Sequence, residues 1–177
     1  IFDGLSGLWT CGLGHGREEI TAAVSAQMSN LDYSPGFQYG HELSFELANK
    51  VVELTPSSLD HVFFTDSGSE TIDTALKMAR GYWRSKGRPG KSKFIGRIKG
   101  YHGVNYGGVG VGGIGFNRKL FGQSVDADHI CDTLLDENKF SRGMPAVGAH
   151  LADELEKLVQ LHDASNIAAV IVEPLSG

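Results

Sequence analysis

Apolar residues recur at four-residue spacing in some stretches of the chain and form short unbroken runs in others. Ile20, Val24 and Met28 predict a helix at about 18–29, and Leu43, Leu47, Val51 and Leu54 predict another at about 43–54, ended by Pro56. A longer helix after the Asp66–Ser69 turn carries Ile72, Leu76, Ala79 and Trp83 on one face and Asp73, Lys77 and Arg80 on the other. The runs at 61–65 (HVFFT), 93–98 and 167–172 (IAAVIV) lie between turn residues and read as buried strands, the last as a central parallel strand covered on both faces. Residues 1–14 read as short strands and turns. Residues 100–147 read as mostly loop, and a helix returns at about 148–162. Strands alternating with helices predict an α/β fold with a mainly parallel sheet. Three strands are too few to cover such apolar runs, so a partial large domain is expected. The chain starts at Ile1, without a Met, and stops after a strand-like run, which also reads as a piece of a longer protein.

Composition narrows the function classes. Hydrophobic residues are 41% and charged residues 21%, enough apolar side chain for a core. The formal net charge of -5 gives no electrostatic reason to bind nucleic acid or an anionic membrane. No apolar run approaches the ~20 residues needed to span a bilayer. Cys11 and Cys131 lack CxxC spacing, so neither a disulfide framework nor a zinc site is expected, and a reducing, cytoplasmic compartment is the natural reading. The 24 glycines gather in the 4–16 and 100–115 stretches, where backbone must turn sharply or approach a ligand closely.

Candidate chemistry sits at the strand and helix ends. Asp66-Ser67-Gly68-Ser69 joins a strand-like run to the long helix. Unpaired N–H groups at a helix start bind phosphate, Gly68 permits close approach, and the Ser67 and Ser69 hydroxyls can donate. A capping box between Ser67 and Glu70 explains the same residues without a ligand, and Asp66 opposes an anion unless it points away. Tyr101, in Gly-Tyr-His-Gly, can lie flat on a planar ring or fill a turn. Glu173-Pro174 follows IAAVIV, at the strand end where open α/β sheets place ligands, or simply turns the chain. The 108–113 run (GVGVGG) matches GxGxxG but lacks the preceding strand that a dinucleotide site needs, so no nicotinamide or flavin site is expected.

Taken together, these segments resemble class III aminotransferases. The 62–84 stretch (VFFTDSGSETIDTALKMARGYWR) is similar to that family's phosphate cup. GYHGVN at 100–105 resembles its ring-stacking turn, and IVEPLSG at 171–177 the strand before the cofactor's aspartate. LDYSPGFQYGHELSFELAN, NRKLFGQ, FSRGMP and LHDASNIAAV are similar to its β-alanine–pyruvate members, and the resemblance spans essentially the whole chain.

The resemblance implies a PLP-dependent transferase of fold type I, with an amino-terminal segment at 1–40 and a partial large domain at 41–177. It implies pyridoxal 5'-phosphate held by Ser67, Gly68 and Ser69, with Tyr101 on the ring, and His102 and Glu173 nearby. Trp9 and Phe37 would line the substrate pocket. It further implies transamination from an ω-amino acid or amine to pyruvate in a homodimer or homotetramer. No lysine here sits in the family's catalytic motif, and the Schiff-base lysine is expected beyond Gly177, so residues 1–177 alone are expected to be inactive. Another class III member, such as a 4-aminobutyrate aminotransferase or an aminomutase, and a non-catalytic PLP-binding scaffold remain alternatives.

Overall fold

The computed structural model describes residues 1–175, which divide into two compact units, Ile1–Phe63 and the residues from Phe64 onward. In the first unit, α1 (Ser6–Trp9) stands where a short strand was expected. Ser6, Gly7, Leu8 and Trp9 all have positive φ, at 51°, 60°, 54° and 70°. A left-handed turn costs about 1–2 kcal/mol per non-glycine residue. Asp3 offsets this by accepting from the Leu5 amide at 3.1 Å, the Gly7 amide at 2.7 Å and His15 Nε2 at 2.7 Å.

Helices α2 (Glu18–Asn30) and α3 (Glu42–Leu54) form where the spacing predicts. Their apolar faces are not buried within the unit: Ile20, Val24 and Met28 are 50–64% exposed, and none of residues 1–63 is buried. The 61–65 run is a correction. It forms no strand, and Phe63 and Phe64 are exposed, because the run pairs with no strand of the described sheet and an extended segment without a ladder partner is not a strand.

The second unit is built on α4 (Gly68–Ser85), β1 (Lys93–Arg97), α5 (Tyr106–Val111), α6 (Gly115–Phe121), β2 (Ala127–Ile130), α7 (Glu154–His162) and β3 (Ile167–Val170). The three strands are parallel in the order β2-β1-β3. Thus β1 is central and β3 lies at an edge of the described sheet, correcting the expectation for IAAVIV. The core is Leu76, Phe94, Val111, Ala127 and Ala168, with Ile72, Ala79 and Trp83 packed against it. That is the α4 face predicted from spacing. Trp83 Nε1 donates to the Ala168 carbonyl at 2.6 Å and ties α4 to β3.

The expected long loop at 100–147 is also corrected, since it contains α5, α6, β2 and a 3₁₀ turn at Asp136–Asn138. Glycines disguise α5, because each is a poor helix former. They are required by close packing: a Cβ on Gly108 would overlap the His102 carbonyl oxygen. The GxGxxG pattern therefore builds a buried helix, with no strand leading directly into it. No helix of the described residues is long and apolar enough to cross a membrane.

Candidate functional site

The start of α4 decides what the Asp66–Ser69 turn can do. Ser67 is the N-cap, and its Oγ accepts from the Glu70 amide at 3.1 Å. The Glu70 carboxylate returns to accept from the Asp66 amide at 3.0 Å. The capping box is therefore present, shifted by one residue on its return arm. It does not consume the anion-binding capacity. Ser67 Oγ acts as an acceptor and keeps its own proton, and the Gly68 and Ser69 amides lie in the first turn, where no intrahelical carbonyl reaches them. Space is open where a Cβ on Gly68 would point.

Ser69 joins this cup to the 101–104 turn. Its Oγ accepts from the Val104 amide at 2.9 Å, which again leaves the hydroxyl proton to donate elsewhere. Gly103, at φ +95°, packs its Cα side directly on Ser69. The result is a cleft of about 430 Å³ lined by Gly68, Ser69, Ile72, Tyr101, His102 and Gly103. Tyr101 is half exposed, so it is not the buried turn tyrosine of the alternative reading.

Glu173, beyond the end of β3, contacts the turn from the other side: its Oε2 accepts from the Tyr101 amide at 3.2 Å. Arg97, at the end of β1, donates to the Glu173 backbone carbonyl. Ser67, Gly68, Ser69, Tyr101, His102 and Glu173 are thus brought into one contiguous region. Trp9 and Phe37 belong to the first unit, where they are 72% and 89% exposed, so neither fills a core there. Sequence reasoning missed the roles of Gly103 and Arg97. The glycine after Tyr-His was a visible signal for the first; nothing in sequence marked the second.

His102 is buried at 6% exposure, and no partner is described for its Nε2. Burial pushes its imidazole below the ordinary 6.5; the Glu173 charge opposes this, while Arg97 and His129 add to it. His129 is lowered in the same direction, by burial first and then by the Arg118 charge, against its bonds to the Gly112 and Val111 carbonyls. Both histidines therefore take up protons in the unfolded chain before the folded one. Their contribution to stability is complete above about pH 6.5 and is lost as pH falls below it toward the folded values. The urea midpoint of the intact protein should drop between about pH 7.5 and 5.5, and drop less in His102→Asn. A flat profile would show that neither imidazole is held neutral.

The family profile described as aminotransferase class-III matches residues 1–177. The chain is 64% identical over 179 residues to the omega-amino acid–pyruvate aminotransferase of Pseudomonas putida, covering 100% of this chain and 40% of that protein. It is 63% identical over 178 residues to the beta-alanine–pyruvate aminotransferase of Pseudomonas aeruginosa, with the same coverage. Among solved structures, it superposes on a PLP-bound amine transaminase from an uncultivated Pseudomonas species with a TM-score of 0.90 at 36% identity, covering 100% of this chain and 41% of that one. The chain thus spans about 40% of the length of these curated relatives.

Proposed function

The chain belongs to the class-III aminotransferase family, and on that premise we propose that the intact protein moves an amino group from an ω-amino acid or amine, such as β-alanine, to pyruvate, yielding alanine. The observation that carries this reading is the single cleft that joins the α4 amino terminus to Tyr101. Pyridoxal 5'-phosphate fits it. Open amides, the open space at Gly68 and two hydroxyls with uncommitted protons suit a phosphate, and a half-exposed aromatic suits a planar ring. When bound, the cofactor supplies the electron sink for the proton shift that interconverts amine and carbonyl.

The remaining roles belong to this chain's residues. Ser67, Gly68 and Ser69 bind and orient the phosphate through charge-assisted hydrogen bonds. Tyr101 covers one ring face, and Glu173 fixes its backbone through the amide. His102 stays neutral near pH 7 behind the turn, so it adds no positive charge beneath the ring. Trp9 and Phe37 shape the donor pocket; exposed aromatics on a turn and an irregular segment suit a pocket wall. The family membership supports a homodimer or homotetramer, and the two cysteines without CxxC spacing suit a reducing, cytoplasmic compartment.

The test is made on the intact protein, supplied with pyridoxal phosphate, pyruvate and β-alanine, by following alanine formation. Turnover with β-alanine and pyruvate is expected; turnover only with 2-oxoglutarate as acceptor would move the protein to another branch of the family. For the cleft itself, Tyr101→Ala should loosen the cofactor and shift its visible absorbance, and Tyr101→Phe should be mild. Stacking contributes about 0.5–1.5 kcal/mol beyond area burial, or roughly two- to tenfold in affinity. Wild-type spectra and affinity in both variants would reduce Tyr101 to a turn residue.

A further inference from the structure

Three consecutive carbonyls at the end of α5 converge on two side chains from outside the helix. Arg118, in α6, donates through Nη1 to Gly110 O at 2.7 Å and Gly112 O at 3.3 Å. His129, in β2, places Nε2 at 3.0 Å from Val111 O and 2.8 Å from Gly112 O. With two carbonyls facing it, that nitrogen carries the imidazole proton. Gly110, Val111 and Gly112 are all buried, so these carbonyls have no water to turn to if the two side chains withdraw. A cation at a helix carboxyl end is also favoured by the peptide dipoles.

The capped segment leads directly to the cleft. Gly113, next in sequence, donates its amide to Gly100 O at 2.8 Å and accepts from the Lys99 amide at 2.9 Å. Gly100 immediately precedes Tyr101. One turn earlier in α5, Gly108 lies against the His102 carbonyl too closely for any side chain. The Tyr101–Gly103 turn is therefore held from behind by α5 and its exit, and their position depends on where the 110–112 carbonyls are held. We infer that Arg118, assisted by His129, is a positioning residue for the aromatic turn: it sets the placement of Tyr101 over the cofactor without touching the cleft. This rests on the reading of the cleft as the pyridoxal phosphate site.

The experiment uses the intact protein and pyridoxal phosphate as the probe. Arg118→Met keeps the stem and removes the fork, Arg118→Lys keeps the charge and one donor, and Trp83→Phe serves as a destabilising control near the carboxyl end of α4, away from the Ser67–Ser69 start of the helix. Three quantities are read: the cofactor dissociation constant, the visible circular dichroism of bound cofactor, and the melting temperature of the cofactor-free protein. Arg118→Met should weaken cofactor binding about tenfold and alter the dichroism, Arg118→Lys should recover part of both, and Trp83→Phe should lower the melting temperature without changing either. Unchanged affinity and dichroism in Arg118→Met would overturn the inference, as would equal cofactor effects from Trp83→Phe. If Arg118→Met does not fold, Arg118→Gln replaces it with the same two outcomes. A wild-type protein that binds no pyridoxal phosphate would overturn the site reading and this inference together; a wild type that binds it beside indifferent variants would overturn the inference alone.

Discussion

Gly96→Ala is expected to destabilise the intact protein by about 3 kcal/mol or more, read as a fall in urea midpoint and in soluble yield. Gly96 is the fourth of the five residues of β1, the central strand, and is buried. A Cβ there would overlap the backbone carbonyl oxygen of Val111 and stand 3.2 Å from both Cδ2 and Nε2 of His129. The backbone carbonyl cannot rotate away as a flexible side chain could. It also accepts the His129 hydrogen bond, so moving it breaks a buried contact as well. A domain is held by only about 5–15 kcal/mol in total, so this single methyl removes a large share. A change below about 1 kcal/mol would mean that α5 does not lie on β1 as described.

The same contact explains what could and could not be read from the chain. The α4 face was legible because Ile72, Leu76, Ala79 and Trp83 repeat at nearly the helix period, and all four end in or against the core. The cup was legible because capping and phosphate binding ask for the same short hydroxyl residues at a helix start. By contrast, β2 was hidden because its ADHI sequence holds two polar residues among four. Each leans on a distant segment: Asp128 on His162 at 2.8 Å, and His129 on the end of α5. Helix α5 was hidden for the opposite reason. Half of YGGVGV is glycine, which propensity reads as loop, yet close backbone approach demands it. The apolar run at 61–65 misled because strand formation needs a neighbouring ladder, which an isolated stretch of sequence cannot announce.

Long-range polar contacts account for most of what sequence reasoning missed at the site. Glu173 reaches the Tyr101 amide across 72 residues, and Ser69 meets Val104 across 35. Motif reading placed both partners near a cofactor but had no means of pairing them. Physically, these bonds turn three separate segments into one rigid frame: the α4 start, the 101–104 turn and the exit of β3. A binding site whose members brace one another in this way is pre-organised, so less conformational freedom remains to be lost when a ligand arrives.

The tightest joint in that frame is Gly103, and Gly103→Ala should weaken pyridoxal phosphate retention by the intact protein on the order of 100-fold. Two effects add. The residue has φ +95°, a conformation that side-chain-bearing residues adopt only with strain. A Cβ there would also stand 2.7 Å from both Cα and Oγ of Ser69 and 3.0 Å from its Cβ. Two of those three atoms cannot swing aside, so the turn must back away from α4. That movement breaks the Val104 amide bond to Ser69 Oγ and separates the proposed phosphate donors from Tyr101, the proposed ring contact. The helix cap at Ser67 and the β1 core lie outside the clash, so the melting temperature of the cofactor-free protein should fall far less than for Gly96→Ala. Equilibrium dialysis against pyridoxal phosphate, paired with that melting temperature, separates the two variants. Gly103→Ala with wild-type cofactor retention would mean that the cup and the aromatic turn do not act on one ligand.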